Sequence, residues 1–233
     1  MIDVAQICRL VKGVFLVTLA MQFLSCSEEP ENDDEPGLYG TFTDTLDGTV
    51  YRTLRLGDQI WLAGNIDRGE MVDGSSGQQD NGIVEKYCYN NEPVLCEKYG
   101  GLYQWGEAMQ YSTVESSQGI CPTGWHIPSD SEWMILEAFL GMTGEDTVKE
   151  LWRGNEQGVA LQPEGETGFE ALMGGNRFVT GTFSQIGSTG YFWTSTSAED
   201  GHAWRRGVDA GQNGIYRSKN DKSFGFSVRC VRY

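Results

Sequence analysis

The run Cys121-Pro-Thr-Gly-Trp-His-Ile-Pro-Ser-Asp-Ser-Glu-Trp133, read with Gly225-Phe-Ser-Val-Arg-Cys230 near the end of the chain, constrains the fold more than any other feature. The first segment has the chemistry of a helix entry. Pro128 closes an extended approach, Ser129 is placed to cap, and Glu132 follows three residues on, as a capping box requires. A short amphipathic helix is predicted over 130–140, carrying Trp133, Leu136, Phe139 and Leu140, with Gly141 as its stop. The second segment reads as a terminal strand. A cysteine before a helix and another in the last strand can tie a fold from its middle to its end.

The cysteine inventory sharpens this. Of six cysteines, Cys8 and Cys26 fall in an N-terminal segment with the marks of a targeting signal. Arg9 and Lys12 supply a sparse positive region, Gly13 to Leu24 an apolar stretch too short for a spanning helix, and Phe23-Leu-Ser-Cys26 resembles a lipobox with Phe23 where leucine is usual. The expected organisation is a lipoprotein signal peptide over 1–25, an acidic tether over 26–37 whose amino group at Cys26 carries lipid, and one domain over 38–233. Ser27-Glu-Glu29 and the acids that follow resemble an outer-surface export signal, so the expected address is the outer membrane, facing the cell surface. Cys88, Cys96, Cys121 and Cys230 remain, an even set that reads as two disulfides in an oxidising compartment. Three pairings are open. Cys88–Cys96 with Cys121–Cys230 is preferred, the first closing a tight loop and the second a very long one. A zinc site is disfavoured, because CxxC spacing is absent and His126 and His202 are the sole histidines.

The formal net charge of −16 argues against nucleic acid and anionic lipid as partners. Residues 201–233 run against that trend, with seven basic side chains and only Asp209 and Asp221 opposing them. The 31 glycines suggest short strands joined by tight turns. Hairpins are expected over 38–63, with turns at Asp47-Gly48 and Gly57-Asp58, and a loop over 69–82. A first helix is predicted over 101–111, a short one over 145–153, then a long loop. Strands follow over 169–173, 176–183, 191–195, 203–209, 214–217 and 227–232. Two main helices followed by a half of short antiparallel strands is α+β architecture, loop-rich and disulfide-bonded. Trp61, Trp105, Trp125, Trp133 and Trp193 read as core, Trp152 less clearly.

The strings Tyr87-Cys-Tyr-Asn-Asn91, Cys96-Glu-Lys-Tyr-Gly-Gly-Leu-Tyr-Gln-Trp105, Gly119-Ile-Cys-Pro-Thr-Gly-Trp-His-Ile-Pro-Ser-Asp130, Gly190-Tyr-Phe-Trp-Thr-Ser-Thr196 and Gly225-Phe-Ser-Val-Arg-Cys-Val231 resemble the Fibrobacter succinogenes major paralogous domain. The resemblance extends from about residue 40 to 231 and implies a C-type lectin-like fold, shared with the formylglycine-generating enzyme. It implies no activity.

Chemistry is hard to place on the chain. His126 lies inside a structural motif, and Glu132 is committed to the cap. Glu164 and Glu166 share a loop that is the best place for a polysaccharide hydrolase pair, and acidic loops are common. A calcium ion near Gln162 and Glu164 would need the Trp-Asn-Asp partner motif of calcium-dependent lectins, which the chain lacks. Formylglycine-generating chemistry needs two reactive cysteines, and all four here have structural roles. No catalytic residue and no cofactor are therefore expected. Residues 203–220 hold the residue types of a recognition surface: Trp204, Arg205, Arg206, Asn213, Tyr216, Arg217 and Asn220. The bland alternative is a strand pair with an ordinary polar face. The expected function is non-catalytic binding of an extracellular glycan or protein, with a subunit of a surface adhesion or fimbrial assembly, and after it an accessory polysaccharide hydrolase, as the alternatives.

Overall fold

A computed structural model describes residues 39–233. The expected signal peptide, the lipid-bearing Cys26 and the tether lie outside the described residues.

Strands β1 (Tyr39–Thr43), β2 (Val50–Leu56) and β3 (Gln59–Leu62) form an antiparallel meander. The Asp47-Gly48 and Gly57-Asp58 turns join them as expected, and both glycines have positive φ. The terminal strand β12 (Val231–Arg232) pairs antiparallel with β3, giving a four-stranded sheet in the order β1-β2-β3-β12. A larger sheet contains β6 (Leu151–Arg153), β7 (Gly174–Arg177), β8 (Phe183–Ile186), β9 (Thr189–Ser197), β10 (His202–Asp209) and β11 (Ile215–Asp221), in the order β6-β11-β10-β9-β7-β8. β4 (Glu70–Met71) and β5 (Glu85–Lys86) make a small parallel pair. The helices are α1 (Pro93–Tyr99), α2 (Trp105–Ala108), α3 (Asp130–Phe139), α4 (Gly144–Thr147) and α5 (Gln157–Leu161). The described residues are thus α+β, mostly strand with few and short helices.

Helix α3 forms for the reason read from its sequence. The Glu132 amide donates to Ser129 Oγ at 3.1 Å, and Glu132 Oε2 accepts from the Ser129 amide at 2.7 Å. Gly141, at φ 89°, lies just beyond its end. The buried face departs from expectation. Trp133 and Leu136 are buried, while Phe139 is exposed and the charged Asp130, Glu132 and Glu137 are buried in its place.

Other elements differ for identifiable reasons. The helix expected over 101–111 shrinks to α2, because Leu102 and Tyr103 bridge to Tyr87 and Phe226 in extended backbone instead. The missed α1 starts on Pro93, whose fixed φ suits a first helical position. Leu151–Arg153, expected within a helix, is an edge strand on β11, and α5 occupies part of the expected long loop. Residues 169–173 form no strand. Glu170 has positive φ, and the Phe169 carbonyl is taken by Arg229. The terminal segment 227–232 changes partner at nearly every step, so only Val231–Arg232 is regular strand.

Each face of the large sheet covers a different core. Period-two alternation sends Trp193 and Ala203 into one cluster, with Tyr103, Trp105, Trp125 and Phe226, and sends Phe192, Val208 and Ile215 into another, with Trp61, Trp133 and Phe169. Trp61 and Trp133 meet edge to face at 5.0 Å. Disulfides join Cys88 to Cys96 and Cys121 to Cys230. The second fastens the approach to α3 against the terminal strand and is itself part of the first core. Arg229 crosses between the sheets fully buried. It is satisfied by Asn65 Oδ1 and by the carbonyls of Leu62, Phe169 and Glu170.

Candidate functional site: an arginine held between tyrosines

Trp204, Arg205 and Arg206 are consecutive on β10, so alternation cannot present all three to one side. Arg206 and Arg217 are register partners and point inward, beneath α3. Arg206 Nε donates to Glu137 Oε1 at 2.6 Å and its Nη1 to Asp130 Oδ1 at 2.5 Å. Arg217 grips Asp130 through Nε at 2.9 Å and Nη2 at 2.7 Å. Arg153 adds a third guanidinium, with Nη2 2.5 Å from Glu137 Oε2. Burial alone would raise the Asp130 carboxyl. The Arg217 hydrogen bonds and the Arg206 charge outweigh it and hold the carboxyl below its ordinary value. The expectation that Arg206 and Arg217 contact a ligand is therefore corrected. Both are buried, and their donors are consumed by α3 carboxylates and nearby backbone carbonyls.

Arg205 faces the other way. Its guanidinium lies 4.7 Å from the ring centroid of Tyr191 and 4.6 Å from that of Tyr216. Those tyrosines flank Gly207 on the neighbouring strands, as its register partners. A Cβ on Gly207 would stand 2.7 Å from Arg205 Nη1, so the absent side chain is what leaves room for the guanidinium here. Arg205 Nε donates to Asn220 Oδ1 at 2.8 Å, its one hydrogen bond among the described residues. Nη1 is covered yet has no partner. None of the ion pairs among the described residues includes Arg205, although the chain is strongly acidic. Burial pulls its pKa down to about 10.

The row continues across the sheet. Trp152 on β6 is the register partner of Tyr216, meets its ring edge to face at 5.0 Å, and is 43 % exposed. The Tyr191 hydroxyl bonds Gln185 Oε1 on the far side. Trp152, Tyr216, Arg205 and Tyr191 thus form a continuous strip on the half-open face of β6, β11, β10 and β9, with Ser218 and Asn220 beside it.

Of the residues singled out in the sequence, the structure gathers Arg205, Tyr216 and Asn220 into this strip. Trp204 is on the opposite face, its ring covered by the Arg217 guanidinium at 3.6 Å. There it lines an open groove of about 620 Å³ with His202, Glu199, Asp200 and Lys219. Asn213 sits exposed on the β10–β11 turn, apart from both. Trp152, Tyr191, Gln185 and Gly207 were missed. Their signal is cross-strand register, which no single stretch of sequence contains.

His126 Nε2 is 2.6 Å from Glu132 Oε1, and Ser116 Oγ donates to the same carboxylate at 3.2 Å. Glu132 therefore serves the cap, the histidine and the serine at once. Glu164 and Glu166 are exposed on their loop, and Gln162 Nε2 is occupied by the carbonyls of Asp209 and Gln212. Among the described residues no group of three or more His, Cys, Asp or Glu side chains is placed to hold a metal ion, and no helix is long and apolar enough to cross a membrane.

A half-open sheet face with an aromatic row, on a disulfide-bonded α+β frame, defines a domain with a surface fit for contact. The sequence model of the Fibrobacter succinogenes major domain matches residues 54–232, and the chain belongs to that family. No curated protein and no solved structure matches the chain.

Proposed function

We propose that the chain is a surface-anchored lipoprotein whose domain, C-type lectin-like in fold, binds an extracellular glycan or protein without catalysis or cofactor. The observation that carries this reading is the Trp152–Tyr216–Arg205–Tyr191 strip. Aromatic and arginine side chains offer large contact area at modest entropic cost, and here they are already held in register by packing against one another. The lectin-like assignment is supported by the terminal strand folding back beside β3 and by the long-range disulfide that secures it. The anchoring assignment rests on Arg9, Lys12 and the lipobox-like Phe23-Leu-Ser-Cys26. The non-catalytic reading is supported by the engagement of Asp130, Glu132 and Glu137, all tied into structural pairs.

The test is an array of glycans and surface proteins probed with the full-length protein and with Trp152→Ala and Tyr216→Ala. Binding lost in both variants, with melting unchanged, supports the strip. Binding retained in both moves the site elsewhere, and the Trp204 groove is then the next surface to mutate. Exposed Val148 and Leu151 beside the β6 edge favour a second reading, a subunit of a surface assembly. Stoichiometric co-purification of partner subunits would decide for it.

A further inference from the structure

Arg205, half-buried, differs from the buried guanidiniums of the domain; Arg232, set against Phe42 and Trp125, likewise has a covered Nε without a partner. Arg206 and Arg217 are neutralised by Asp130 and Glu137, and Arg177 is saturated by the carbonyls of Gly74, Ser76 and Ser223. Arg205 keeps one hydrogen bond and enters no ion pair among the described residues; its Nη1 is covered, and Nη2, which has no partner and is not covered, is the donor left for a ligand. On the same face the Asp209 carboxylate is engaged by Thr189 Oγ1 and the Gly211 amide. A partly desolvated cation with an open donor is costly unless an anion completes it, and a planar guanidinium suits a carboxylate best.

The surroundings of that cation point to the rest of the ligand. The strands carrying it are paired on both sides along β9, β10 and β11, so their backbone cannot add a peptide strand to this face. What the face offers is a set of ring surfaces with amide and hydroxyl groups between them. The exposed Trp152 and the half-buried Tyr216 supply rings, and Asn220, Ser218 and Gln185 supply the polar groups. Ring faces stack on apolar sugar C–H faces, and amides and hydroxyls pair with sugar hydroxyls. The net charge of −16 disfavours a dense polyanion, so the carboxylate must be sparse along the chain.

Building on the binding reading above, we infer that the strip recognises an oligosaccharide bearing an isolated carboxylate, as an acidic sugar residue within an otherwise neutral chain. Arg205 receives the carboxylate through Nη2, Tyr191 and Tyr216 hold the guanidinium between them, and Trp152 stacks on the adjoining neutral sugar. Arg205 acts as the reader of charge and Trp152 as the reader of sugar shape.

The experiment titrates the full-length protein with a panel of oligosaccharides that each carry one uronic or sialic acid. Each is set beside its counterpart with the carboxyl reduced to an alcohol. The expected result is binding of at least one acidic member, weakened about tenfold or more on carboxyl reduction and by a similar factor in Arg205→Gln. Arg205→Lys is expected to recover little, because an ammonium loses the planar stacking. Trp152→Ala, at an exposed position, should weaken acidic and reduced forms alike, with its melting curve unchanged. Equal binding of acidic and reduced members, lost in Trp152→Ala, overturns the charge inference and leaves the strip as a neutral-glycan or general site. Acid binding unaffected by Arg205→Gln, or an acidic panel that does not bind at all, also overturns it. Capture of protein targets on the array, lost in Tyr216→Ala, would then preserve the broader binding reading alone.

Discussion

Arg206 and Glu137 meet at 2.6 Å with neither side chain reaching solvent, and this pair locks α3 onto the large sheet. Glu137 is also held by Arg153, and Arg206 also by Asp130, so removing one member strands several charges. Arg206→Ala is expected to cost about 3–5 kcal/mol, because Glu137 and Asp130 would remain buried with fewer partners. Arg206→Met, which refills part of the volume, should remain destabilising. Urea unfolding of both variants measures this, and a change under about 1 kcal/mol in Arg206→Ala would refute the locking role.

The same network sets an acid limb. Asp130 is held below its ordinary value of 3.8, with Arg217 and Arg206 outweighing burial. Glu132 is held below 4.5, with the His126 and Ser129 hydrogen bonds outweighing burial. Carboxyls depressed by folding stabilise the protein fully above their unfolded values and lose that contribution as pH falls through the folded ones. Stability is therefore expected to be insensitive to these groups near neutrality and to fall below about pH 4.5. Asp130→Asn should lower stability at neutral pH and flatten the acid limb, as read by circular dichroism melting at stepped pH.

Gly207→Ala tests the strip without touching its charges. The new methyl would first meet Arg205 Nη1, the movable end of a long side chain, at 2.7 Å, and then Tyr216 Cβ at 3.2 Å. Stability should change by under about 1–2 kcal/mol while the guanidinium is displaced. If the strip binds ligand, affinity falls with the melt nearly intact. Affinity equal to that of the parent protein would show that the space over Gly207 is not needed.

The two disulfides should contribute unequally. Cys121 and Cys230 are 109 residues apart and Cys88 and Cys96 only 8. In the chain-entropy model the long closure is worth about 4–5 kcal/mol and the short one about 2–3 kcal/mol. Paired serine substitutions, compared by urea midpoint, should rank in that order. The reverse ranking would show that local strain or denatured-state structure outweighs loop length.

Legibility in the sequence followed the range of the interaction. The Ser129–Glu132 cap, the Gly141 stop and the Asp47-Gly48 and Gly57-Asp58 turns were readable because each is closed by groups within a few residues. The pairing of the four cysteines was readable as a preference, since the spacing made one closure local. Strand limits blurred where the chain changes partners, as along 227–232, and the helix expected over 101–111 was cut back to Trp105–Ala108, with Leu102 and Tyr103 in bridges to Tyr87 and Phe226. The basic end of the chain showed as composition, and composition carries no direction.

The residues by themselves determined an α+β domain with two disulfides, a capped helix and a family membership, because local hydrogen bonding, turn chemistry and motif order are written along the chain. Only the tertiary structure decided the site. Trp204, Arg205 and Arg206 are neighbours in sequence and part company in space. Alternation buries Arg206 against Asp130 and Glu137, and the register of four strands sets Arg205 among Tyr191, Tyr216 and Trp152. Which side of a strand meets a carboxylate and which meets water is fixed by what packs on each face, and that is a property of the whole fold.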